Sequence, residues 1–124
     1  KAPLAATRDM FLDDLGQLTD RGQVGHLAVG VPGSVPGMWE AHDRFGSLPW
    51  AELVEPSVRL AEGIVVHERL ASSLARYEPR LQRFPSTASV FLPDGYAPRV
   101  GDRFVQQDLA ATLRRISRDG KERV

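Results

Sequence analysis

The sequence predicts a mainly α fold, short helices with one or two brief strands, and three observations carry that expectation. Apolar residues recur at spacings of three and four in Leu70, Leu74, Tyr77 and Leu81, and Leu109, Thr112, Leu113 and Ile116 fall on one helical stripe. Nine prolines and eleven glycines cut the 124 residues into pieces too short for long helices. Strand candidates are confined to "IVV" at 64–66 and to Arg103 to Val105. One segment, residues 1–124, is the expected unit, long enough to bury roughly two thirds of its unfolded surface.

The elements follow in order. "ATRDMFLDDLG" predicts a short helix from about Thr7 to Leu12, closed by a turn at Asp13, Asp14 and Gly16. "QLTDRGQVG" reads as loop. Ser34 is the expected N-cap of the next helix and Pro36 fits its first turn, where a missing N–H costs little. Met38, Trp39, Ala41, His42 and Phe45 follow at helical spacing until Gly46. A turn ends near Val54, because Pro56 would clash inside one continuous helix. A second helix then runs from Pro56 to Glu62, closed by Gly63. "HERLASSLARYEPRLQRFP" forms one apolar face with Pro79 as a kink or restart. "STASVF" is a short helix or turn, Pro93 to Gly95 a turn, and "QDLAATLRRISRDG" the last helix, with Arg114, Arg115 and Arg118 toward its negative end.

Composition excludes more than it selects. Sixteen basic side chains balance sixteen acidic ones, leaving no field to hold nucleic acid or an anionic membrane. No apolar run approaches the roughly 18 residues of a membrane span, and "KAPLAATRDMFLDDLG" lacks the pattern of a signal peptide. Neither a nucleic-acid nor a membrane partner is expected. With no cysteine the chain has neither disulfides nor thiolate ligands, which leaves its compartment open.

The search for chemistry is mostly negative. "GVPGSVPG" lacks the Gly-Lys-Ser/Thr ending of a phosphate loop and the G-x-G-x-x-G of a dinucleotide turn, and its prolines remove donors such a cradle needs. His26, His42 and His67 are far apart. His67-Glu68 opens like a zinc protease helix, but Ala71 stands where the second histidine ligand belongs. Asp9, Asp13 and Asp14 lack the alternating oxygen ligands of a calcium loop and read as helix-end and turn residues. Trp39 and Trp50 could stack a ligand, yet aromatics on short amphipathic helices are ordinarily core. Ser34, Ser57 and Ser72 show no G-x-S-x-G elbow and no base partner. No catalytic, substrate-binding or metal residue is assigned, and no cofactor is expected.

"KAPLAATRDMFLD", then "HLAVGVPGSVPGMWEAHDRFGSLPWAELVEPSVRLAEG", "VFLPDG" and "GDRFVQQDLAATLRRISRDG" resemble the large subunit of the gamma-glutamyltranspeptidases, from Lys1 to about Gly120. Its most specific parts are "APxxATRDMFLD", "GVPGSVPG" and "LxxxVEPSVRLAEG". The resemblance implies that "GVPGSVPG" is a strand-to-helix turn that launches the Met38-Trp39 helix. It also implies a helical lobe of an αββα N-terminal-nucleophile hydrolase, made as one precursor that cuts itself into large and small subunits. The new terminal threonine of the small subunit attacks the gamma-glutamyl amide of glutathione or related compounds, with its own amine as base.

That machinery is not expected within these residues. Thr7, Thr19, Thr87 and Thr112 lie in large-subunit contexts, and no Thr-Thr-His stretch occurs. Of the R-E-x-A-P motif whose arginine grips the glutamyl carboxylate, only Lys1 to Pro3 is present. After "RDG" the family continues toward an aromatic pair and a glycine, whereas this chain reads "KERV", so Val124 reads as an imposed edge.

The expectation is therefore an interior fragment, inactive alone, that clothes the central sheets and supports the glutamate pocket. Its partners would be the remainder of the large subunit and the small subunit, with glutathione or gamma-glutamyl compounds bound only by the full enzyme. The alternatives are a stand-alone helical interaction module and a cephalosporin acylase-like relative. Faces bearing Trp39, Phe45, Leu53, Leu60, Leu70, Leu74, Leu113 and Ile116 would pack partly on absent sheets. The surface left over predicts self-association, by a symmetric dimer or by exchange of an end helix across Pro93 to Gly95.

Overall fold

A computed structural model describes residues 3–120. Two single 3-10 turns, Asp20–Gly22 and His26–Ala28, precede the regular elements. These are α1 (Ser34–Phe45), α2 (Trp50–Glu62), β1 (Ile64–Val65), α3 (Glu68–Leu81), α4 (Pro85–Phe91), β2 (Arg103–Phe104) and α5 (Gln107–Asp119). The two strands pair antiparallel, Ile64 opposite Phe104 and Val65 opposite Arg103. The pairing continues past the ladder, where Val66 N–H donates to Asp102 O at 2.8 Å and Gly101 N–H to Val66 O at 2.9 Å.

The core lies where α2 packs lengthwise on α5. Val54, Val58 and Ala61, at spacings of four and three, turn one face of α2 inward. Ala110 and Ile116 are the buried residues of α5. Val54, Val58 and Ile116 form the buried centre, with Val35, Trp50 and Leu113 packed around it. Beside it Phe104 is buried and its ring stacks on Phe91 at 6.1 Å between centroids.

The mainly helical reading stands, with corrections at four places. Pro56 lies inside α2 and does not start a new helix. Its missing N–H leaves Glu52 without a ladder partner, but Pro56 is exposed, so water can solvate that carbonyl. Burying Val54, Val58 and Ala61 on one continuous face outweighs the lost bond. Thr7 to Leu12 is no helix: Leu12 bridges Leu18 across a tight hairpin. The Asp13 carboxylate builds that hairpin, accepting from the N–H groups of Leu15 at 2.9 Å and Gln17 at 2.8 Å. Ser34 is the first residue of α1 rather than its cap, which is Gly33. The backbone ahead of α1 is extended at Val29, whose N–H donates to His26 O at 3.4 Å, and among the described residues no strand leads into the helix that "GVPGSVPG" launches.

Proline and glycine are otherwise placed as expected. Pro36 falls in the first turn of α1, Gly46 and Gly63 follow helix ends, and Gly63 has φ +151°. Pro79 is carried within α3, close to its C-terminus. Of the faces expected to pack, Leu74 and Ile116 are buried, whereas Phe45, Leu53 and Leu60 are exposed.

Candidate functional site

Three rings meet where α1 turns into α2. Trp39 and His42 share a face of α1 at a spacing of three, and Trp50 opens α2. The Trp39 and Trp50 rings pack edge to face at 5.1 Å, and His42 lies 5.2 Å from Trp50. His42 Nε2 contacts Leu48 O at 2.8 Å. A carbonyl can only accept, so Nε2 carries the hydrogen and donates it. A side chain at Gly46 would run into the His42 ring and carbonyl, so this corner needs glycine for space, not for a left-handed backbone.

The Trp50 indole donates to Ile116 O at 2.9 Å, tying the start of α2 to the end of α5. Gly120 ends α5 with φ +61°, and a Cβ there would stand 2.5 Å from the Trp39 ring. The aromatic corner therefore locks α1, α2 and the exit of α5 together. It borders an open apolar hollow of about 380 Å³, whose walls include Met38, Leu53, Val54 and Leu113, with His42 and Ser57 as polar lining. No hydrogen bond joins Ser57 to His42 among the described residues, so these two do not form a nucleophile and base.

The remaining residues weighed from sequence are scattered. His26 sits exposed in the second 3-10 turn. His67 caps α3, its Nδ1 accepting from Leu70 N–H at 3.4 Å, while Glu68 occupies the first turn. Asp9 and Asp14 are exposed. Ser34 and Ser72 are exposed on α1 and α3. Thr7 is exposed, and the Thr19 hydroxyl donates to Phe11 O at 2.6 Å. Thr87 is half-buried in α4, and Thr112 accepts from Arg115 at 3.5 Å. Lys1 and Ala2 lie outside the described residues.

Among the described residues no polar side chain is buried, and no three His, Asp or Glu converge as metal ligands. Asp119, hydrogen-bonded to Arg118 Nε at 2.8 Å, pushes that exposed guanidinium above its ordinary value. No helix of the described residues is long and apolar enough to cross a membrane. Sequence reasoning did not find the His67 cap or the Trp50 to Ile116 bond. His67 is an unusual cap type, and the Trp50 bond spans 66 residues with no local signature.

Comparison with known proteins places this arrangement. The family model described as Gamma-glutamyltranspeptidase matches residues 1–124. The glutathione hydrolase proenzyme of Bacillus subtilis is 39% identical over 126 residues, covering 98% of this chain and 21% of that protein. The acylase ACY 1 proenzyme of Pseudomonas sp. strain V22 is 40% identical, covering 98% of this chain and 23% of that protein. The crystal structure of Helicobacter pylori gamma-glutamyltranspeptidase superposes with a TM-score of 0.91 at 37% identity, covering 97% of this chain and 35% of that one. This chain thus spans about a fifth of the length of the curated relatives it matches.

Proposed function

Because this chain belongs to the gamma-glutamyltranspeptidase family, we propose that it serves as an interior part of the large subunit of such an enzyme, a helical lobe of an N-terminal-nucleophile hydrolase. Its work there is mechanical. The α2 and α5 pair, locked by the Trp39, His42 and Trp50 corner, clothes the central sheets and supports the glutamate pocket that other segments complete. Glutathione and other gamma-glutamyl compounds are substrates of the whole enzyme, and the rest of the large subunit and the small subunit are its partners.

The observation that carries this reading is the superposition of nearly the whole chain on about a third of a solved gamma-glutamyltranspeptidase chain. His42 and Ser57 line one hollow without a hydrogen bond between them, and Ser34, Ser72, His26 and His67 lie elsewhere; this supports the second half of the proposal, that the chain alone does not turn over substrate. The test is hydrolysis of a chromogenic gamma-glutamyl anilide by the purified chain. No release above a heat-treated control is expected, and turnover that survives repurification would overturn the reading.

A second reading keeps the lobe and changes the substrate. The acylase proenzyme is as similar as the glutathione hydrolase, 40% against 39% identity, so the same lobe could serve a cephalosporin acylase-like enzyme. Assaying the full-length enzyme on a gamma-glutamyl anilide and on a cephalosporin side-chain amide separates the two.

A further inference from the structure

We draw no further inference here: the strongest candidate, the exposed apolar stripe of Leu53 and Leu60 on α2 with the two hollows beside it, belongs to a chain that spans 35% of the solved relative it superposes on, and nothing in the structure shows what covers it.

Discussion

Replacing Gly63 by valine tests how the chain turns from α2 into β1. Gly63 has φ +151° and ψ +131°, a conformation that side chains rarely adopt, and holding one there costs about 1–2 kcal/mol. The new Cβ would also stand 2.6 Å from Nε and 2.9 Å from Nη2 of Arg103. That guanidinium is the far end of a flexible chain and can swing away, giving up its 3.3 Å hydrogen bond to Glu62 O. The bond is exposed, so its loss adds about 0.5 kcal/mol. Valine also restricts the unfolded chain relative to glycine, which offsets about 0.5 kcal/mol. The net destabilisation is about 1.5 kcal/mol, near the order of 1 kcal/mol expected from a helix-ending glycine alone. In urea, with a slope of about 1.5 kcal/mol per molar, the midpoint should fall by about 1 M with the slope unchanged. Arg103→Ala in both backgrounds should recover only about a third of the loss. A midpoint shift below about 0.2 M, or full recovery by Arg103→Ala, would refute the argument from the backbone.

Three further outcomes follow from the same packing. Pro56→Ala returns an N–H to pair with Glu52 O in the middle of α2, and should raise stability by about 1–2 kcal/mol after allowing for the freer unfolded chain. A lower urea midpoint would mean that Pro56 is needed where it is. Val58→Ala removes two methyl groups from a site 2% exposed and should cost about 2 kcal/mol. Thermal melts giving a loss below about 0.5 kcal/mol would show that α2 and α5 are not the core. His67→Ala deletes the cap on Leu70 N–H and should cost about 0.5–1 kcal/mol, while His67→Ser should be neutral or stabilising. Equal losses in the two variants would argue against capping.

What could be read from the residues, and what could not, divides by the range of the forces involved. α5 follows from its own stripe and from Gly120, and α1 from Pro36 and Gly46, because those signals act within one or two turns. β1 and β2 were also legible, as the "IVV" run after Gly63 and as the brief segment at Arg103 to Val105 after Gly101. Pro56 misled because its local penalty is fixed, whereas the gain from burying Val54, Val58 and Ala61 depends on α5, some fifty residues on. The segment Thr7 to Leu12 misled because helical spacing says nothing of a side chain such as Asp13 competing for the backbone N–H groups. At the aromatic corner Trp39 and Trp50 were expected in the core and are half-buried, with the indole of Trp50 spent on Ile116 O. That partner lies on another element, and no local pattern announces it.

The central claim is that these residues form one lobe of a longer gamma-glutamyltranspeptidase-type enzyme, and sequencing the coding frame on both sides tests it most directly. The account predicts an open frame with Arg-Glu immediately before Lys1, completing the carboxylate-gripping motif, and a Thr-Thr-His stretch downstream of Val124. A start codon directly before Lys1 together with a stop codon directly after Val124 would contradict it, and would leave a stand-alone helical module in its place.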